Sequence, residues 1–143
     1  MKRRDFIAGL LGGPAAAWPL IGRAQHSDRN APRIGFLTRK TDASVSAQID
    51  AFRQGLRDLG WVEGRSISIE CRDAGGQLDR LRPLAAELVA LNADAIVTVD
   101  TPPTQAAQQA TDTIPIVVAV SADPVGAGLV KSLAHPGGNT TGL

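Results

Sequence analysis

From residue 33 onward the apolar positions fall into two alternating rhythms. Arg33-Ile34-Gly35-Phe36-Leu37-Thr38 is a short apolar run between Pro32 and the polar residues 39–44, and it predicts a strand. Val45, Ile49, Phe52, Leu56 and Leu59 follow at steps of four and three, which places all five on one face of a helix that Gly60 ends. Residues 66–71 alternate polar with apolar, as in a half-buried strand at a sheet edge, and Gly75-Gly76 breaks the chain beyond it. Leu81, Leu84, Ala85, Leu88 and Leu91 form the apolar face of a second helix, with Pro83 near its first turn. Residues 95–99 and 116–120 are almost continuously apolar, the pattern of central strands covered on both faces. Thr101-Pro102-Pro103 opens an Ala/Gln-rich helix with Thr101 as its cap, and Asp123-Pro124 opens a fourth helix through Val125, Leu129, Val130 and Leu133.

Four strand–helix units in succession predict an α/β fold, a doubly wound parallel sheet of order 2-1-3-4 with helices on both faces. In such a sheet a ligand binds beyond the carboxyl ends of the strands, where the winding direction reverses, here between strands one and three. The candidate ligand-binding residues are therefore Thr38 and Ser44 after strand one, Asp100, Thr101 and Pro102 after strand three, and Ser121 and Asp123 after strand four. Two of these loops lead into helix N-termini, whose free N–H groups attract a carboxylate or a phosphate. Each residue taken singly is better explained as a helix cap or turn former, and the set is more informative than its members.

Residues 1–24 differ from the rest. Lys2, Arg3 and Arg4 precede an apolar stretch from Phe6 to Ile21, and Gly22 and Ala24 supply small residues before a cut near Ala24. These features predict a cleaved secretory signal peptide, and Arg3-Arg4-Asp5-Phe6-Ile7 is of the twin-arginine type, which points to the periplasm of a bacterium. The alternative is an uncleaved anchor, disfavoured because a span needs about 20 apolar residues and Pro14 and Pro19 interrupt this run. Residues 25–32 read as a polar linker and 33–143 as a single α/β lobe. The leader holds four of the 15 Lys and Arg and one of the 14 Asp and Glu, so its removal moves the formal charge from +1 to −2. The mature chain then has no basic stripe for nucleic acid and no second apolar run for a membrane span.

Catalytic and cofactor chemistry find little support. Gly35 stands alone where a dinucleotide fingerprint needs three glycines, and Gly75-Gly76 leads to Gln77-Leu78 rather than to a phosphate-binding lysine. His26 and His135 lack ligand spacing to a second His, Cys or carboxylate, so no metal is expected. Cys71 is the single cysteine, which excludes an internal disulfide, and its place in an apolar alternation suggests a core residue. Asp100 and Asp123 end adjacent strands, but no nucleophile or base accompanies them. The expectation is a protein without cofactor that is not an enzyme.

Several stretches carry a family resemblance. Residues 52–65, Phe-Arg-Gln-Gly-Leu-Arg-Asp-Leu-Gly-Trp-Val-Glu-Gly-Arg, are similar to the FxxGLRxLGYxEGxN pattern of ABC transporter substrate-binding proteins of the tryptophan/uncharacterised-substrate group. Asp79-Arg80-Leu81 with residues 84–89, Ile114-Pro115-Ile116-Val117, residues 123–130 and residues 133–142 resemble that family in the same order. The resemblance implies one lobe of a type I periplasmic binding protein, whose two lobes close on a small solute and deliver it to an ABC permease of the inner membrane. It also implies ligand-facing roles for Thr38, Thr101 with Pro102, and Ser121 with Asp123. Residues 139–143 resemble the point at which family members lead toward the second lobe, so the expectation is an N-terminal lobe with the second lobe missing. The expected solute is a small polar molecule, an amino acid or related carboxylate. A ligand-sensing periplasmic lobe of a receptor or regulator is the alternative, and an exported α/β enzyme a more distant one.

Overall fold

The computed structural model describes residues 31–142. The signal peptide expected at residues 1–24 and most of the linker lie outside them. Five strands and three α-helices follow one another as β1 (Arg33–Thr38), α1 (Ala43–Asp58), β2 (Ser68–Asp73), α2 (Leu81–Ala90), β3 (Ala95–Val99), α3 (Thr101–Ala110), β4 (Ile116–Val120) and β5 (Thr140–Gly142), with a 3-10 turn at Leu78–Arg80 before α2. The sheet order is β2-β1-β3-β4-β5 and every pairing is parallel. The order 2-1-3-4 read from the apolar pattern is present, and β5 extends it.

Alternation along the central strands sends neighbouring side chains to opposite faces, and each face acquires its own core. Phe36, Val97 and Val99 meet Ile49 of α1 on one side, with Val45 and Phe52 packed against them. On the other side Leu37, Ile96 and Ile116 meet Leu81, Ala85 and Leu88 of α2 and Ala106 and Ala107 of α3. Gly35 is required by this second layer. A Cβ there would lie 2.9 Å from Leu88 Cδ1, so the missing side chain is what lets α2 approach β1.

The fourth helix expected from Asp123 does not form. The Asp123 carboxylate accepts the Gly126 N–H at 2.7 Å and the Ala127 N–H reaches the Asp123 carbonyl at 3.0 Å, which is one helical turn. Gly128 then adopts φ +72, Leu129 N–H bonds back to the Pro124 carbonyl and Gly128 N–H to the Val125 carbonyl. That pair of bonds around a left-handed glycine is a Schellman stop, and it closes the helix after its first turn. Leu129 and Val130 are nonetheless buried, whereas Leu133 is 73% exposed. Gln108 Nε2 of α3 holds the segment by donating to the Leu129 carbonyl at 2.7 Å and to Thr140 Oγ1 at 3.0 Å.

Three further expectations are corrected. The second strand runs two residues later than residues 66–71, because Val62–Gly64 fold back on Ile67 and take up its outer backbone groups. Leu59 sits at the C-cap of α1 and is 78% exposed, beyond the reach of the sheet that buries the other four members of its stripe to differing degrees. Cys71 has the phase expected of it, but β2 is the edge strand and the residue is exposed.

Candidate functional site

The carboxyl ends of β1, β3 and β4 are neighbours in the sheet, and four of the expected residues, Thr38, Asp100, Thr101 and Ser121, stand at or just beyond them. Thr38 is buried, its hydroxyl 3.3 Å from that of Thr41. The cap of α1 is Asp42, whose carboxylate accepts the Val45 N–H at 3.0 Å. Ser44 is thereby left exposed in the first turn of α1, and this helix end already faces a carboxylate of its own.

The start of α3 is different again. Thr101 is its first residue rather than its cap; the cap position belongs to Asp100, which makes no side-chain capping bond. Pro102 and Pro103 have no N–H, so two of the donors that a helix start normally offers are missing. Taken together, the two helix ends give less support to anion binding than the sequence pattern suggested.

Asp100 has φ 75 and ψ 168, a region that costs a non-glycine residue on the order of 1–3 kcal/mol. Its neighbours hold it there. The Asp100 N–H donates to the Val120 carbonyl at 2.9 Å, and the Thr104 hydroxyl donates to the Asp100 carbonyl at 2.8 Å. The Thr104 oxygen lies 2.7 Å from the Thr98 hydroxyl, and with the Thr104 proton committed to Asp100, Thr98 is the donor in that pair. Directly before this point the β3–β4 register shifts between Thr98 and Val99, so that Ala119 is an extra residue on β4. A bulge of this kind redirects the strand end that follows it.

Ser121 is half-buried and its hydroxyl oxygen is buried with no partner among the described residues, beside a cavity lined by Val118, Pro124, Val130, Leu133, Pro136 and Gly142. Asp123 is exposed and occupied by its turn with Gly126, so it does not pair with Asp100. Among the described residues no group of three or more His, Cys, Asp or Glu is placed to hold a metal ion.

Asp73 is the residue that sequence reasoning missed. It ends β2 and joins two loops at the same edge, accepting the Thr41 N–H at 2.9 Å and the Gly75 N–H at 2.7 Å. Partial burial disfavours its charge, but the bonds from Gly75 and Thr41 outweigh that and hold the carboxyl below the usual range. The signal was present as an aspartate two residues ahead of a glycine pair, the pattern of an Asx turn.

The comparisons with known proteins agree on one family. A family model described as ABC transporter substrate binding protein matches residues 39–143. A tyrosine-binding protein of Clostridioides difficile (strain R20291) is 31% identical over 99% of this chain, which spans 45% of that protein. A Streptococcus pneumonia ABC domain solved in complex with L-Trp superposes with TM-score 0.75 at 31% identity, covering 80% of this chain and 38% of that one. A ligand-free, open substrate-binding protein with adhesive properties from Clostridium difficile gives TM-score 0.75 at 32% identity, over 78% of this chain and 38% of its own. A parallel sheet of this order, strand ends gathered at its switch point and a family match over residues 39–143 make this chain a member of the ABC transporter substrate-binding protein family.

Proposed function

We propose that the chain is the periplasmic solute-binding component of an ABC transporter, and that residues 33–143 supply one lobe of a cleft closing on a small polar molecule. The solute is an amino acid or related compound, handed without chemical change to an ABC permease of the inner membrane. Residues 1–24 direct export and are removed near Ala24. The opposing side of the cleft is supplied by a second lobe. The tyrosine-binding and L-Trp-bound relatives support an amino acid as the solute class.

The observation that carries this reading is the strained backbone at Asp100, kept by the Thr98–Thr104 hydroxyl chain at the carboxyl end of β3. Strain of this kind persists where surrounding structure over-determines it, and it concentrates at ligand clamps. Around it the lobe offers the hydroxyl of Thr101 and the carboxylate of Asp100, with Pro102 shaping the turn, while Thr38 and the Ser121 hydroxyl lie buried beneath them. A hydroxyl and a carboxylate suit an ammonium group and polar atoms, while the depleted helix starts suit the solute carboxylate less well. Ser44 and Asp123 stand at the rim.

Calorimetry with L-tyrosine and L-tryptophan tests the reading. One lobe covers one side of a ligand, whereas tight small-molecule sites bury about 70–90% of the ligand surface. The chain alone is expected to bind no tighter than about 1 mM, close to 4 kcal/mol. Fusion to the second lobe of a relative is expected to raise affinity at least a hundredfold, and Asp100→Asn to remove most of that gain. A fusion that binds neither amino acid, or is indifferent to Asp100→Asn, overturns the assignment.

A further inference from the structure

The outer edge of β2 is an open ladder. The Ser68 and Ala74 N–H groups donate inward to the Pro32 and Thr38 carbonyls, so residues 69, 71 and 73 turn their backbone groups outward. At the start of the strand that edge is taken, since Gly64 N–H donates to the Ile67 carbonyl at 2.8 Å. Beyond Ile67 no strand pairs it among the described residues.

An open edge is commonly protected by charge, and here Glu70, Arg72 and Asp73 stand on it. Charges of one sign would repel a second strand. Glu70 and Arg72 are opposite in sign and symmetric about Cys71, so a copy running antiparallel places each against its complement. Both project toward the α2 face, where Arg72 Nε already meets Glu87 at 3.0 Å and Arg72 lies 3.5 Å from Glu70. Neither partner is locked away, for the side chains are 26% and 35% exposed.

We propose that β2 pairs edge to edge with β2 of a second copy of this chain, antiparallel about a two-fold axis through Cys71, with Glu70 facing the partner's Arg72 and Arg72 facing the partner's Glu70. The contact is isologous and closes on itself, so it ends at a dimer rather than a fibre. The outward backbone groups of Ile69, Cys71 and Asp73 then find partners in the same residues of the other copy. The edge lies away from the switch point, so pairing leaves the strand ends at Thr38, Asp100 and Ser121 open. This surface is independent of the solute reading.

Cys71 reports on the geometry. As a hydrogen-bonded antiparallel pair the two Cys71 Cα atoms lie about 5.5 Å apart, inside the roughly 4.4–6.8 Å that a disulfide spans. Oxidised glutathione supplies the oxidant: two Cys71 thiols become one disulfide while one glutathione disulfide becomes two thiols. Partial burial pushes the Cys71 thiol up, so the reaction is run near pH 9 to raise the thiolate fraction.

The full chain is treated with oxidised glutathione and the dimer read on a non-reducing gel, beside sedimentation of Cys71→Ser under reducing conditions. Glu70→Arg places like charges together twice and is expected to slow trapping about tenfold. The double variant Glu70→Arg with Arg72→Glu restores complementarity and is expected to return trapping to within about twofold of the parent. Cys71→Ser is expected to sediment as a reversible dimer. Equal trapping in all three cysteine-containing chains, or a wholly monomeric Cys71→Ser, overturns the proposal. A dimer that survives Glu70→Arg unchanged also overturns it and places the interface on another surface.

Discussion

The Thr104 hydroxyl donates to the Asp100 carbonyl at 2.8 Å and is itself met by Thr98 at 2.7 Å, which pins the most strained residue of the described chain from inside the core. Asp100→Gly removes the steric conflict at φ 75 and is expected to stabilise the fold by about 0.5–2 kcal/mol, after allowing for the added freedom of the unfolded chain. Urea unfolding measures it, and a loss of stability would show that the Asp100 side chain contributes more than its backbone costs.

Thr104→Val keeps the shape of that side chain but strands the Thr98 hydroxyl and the Asp100 carbonyl. The Thr98–Thr104 pair is buried and the bond to the exposed Asp100 only partly so, and the expected loss is about 1–3 kcal/mol, most of it from the Thr98 hydroxyl. Thr98→Val with Thr104→Val is expected to cost less than the sum of the two single changes, because it removes both members of the pair. A full additive loss in the double-mutant cycle would contradict the chain of donors described above.

Gly35→Val drives a branched side chain against Leu88, where the first added carbon alone would stand at 2.9 Å. Overpacking of this kind costs about 1–3 kcal/mol. Leu88→Ala in the Gly35→Val background is expected to recover part of the loss in thermal melting, while no recovery would place the conflict elsewhere.

Phe52 is half-buried, its ring centroid 5.7 Å from that of Phe36 at an interplanar angle of 57°. Phe52→Ala is expected to cost about 2–3 kcal/mol, less than the ~3–5 of a fully buried ring. Chemical denaturation of the variant gives the value directly, and an unchanged midpoint would rule out the packing of α1 against β1.

Asp73 makes stability depend on acid. Its folded pKa is depressed, so its contribution is present above the unfolded value near 3.9 and is lost as pH falls through the folded one. Asp73→Asn is expected to flatten the melting profile below about pH 4 relative to the parent, and identical profiles would mean that the Thr41 and Gly75 bonds carry no charge-dependent stability.

The sheet was legible because its central strands are apolar on both faces, so residues 33–38, 95–99 and 116–120 could be recognised and ordered from composition and crossover handedness. The segment after Asp123 was misleading for a physical reason. Asp123-Pro124 does open a single helical turn, but Gly128 takes a left-handed conformation that ends it, and apolar spacing cannot report which conformation a glycine adopts. β5 was missed because Thr140, Thr141 and Gly142 carry no apolar rhythm and pair with β4 through backbone alone. At the candidate site, strand ends were readable from topology, and the Asx pattern of Asp73 before Gly75-Gly76 was there to be read, whereas the cap at Asp42 and the bond from Thr41 to Asp73 depend on side-chain geometry that spacing does not encode.

Parallel pairing has a kinetic consequence for a chain made from its N-terminus. β1 lies in the interior of the sheet, yet Arg33 must wait for Ser68, and Ile34 for Ala95, before either of its edges is satisfied. Until β3 emerges, β1 is an apolar strand with an open flank, and local contacts alone cannot close it. Folding is therefore governed by long loops, of the slow kind that exposes nascent chains to aggregation. A newly made lobe of this kind depends on rapid arrival of β3 and β4, or on a holding chaperone.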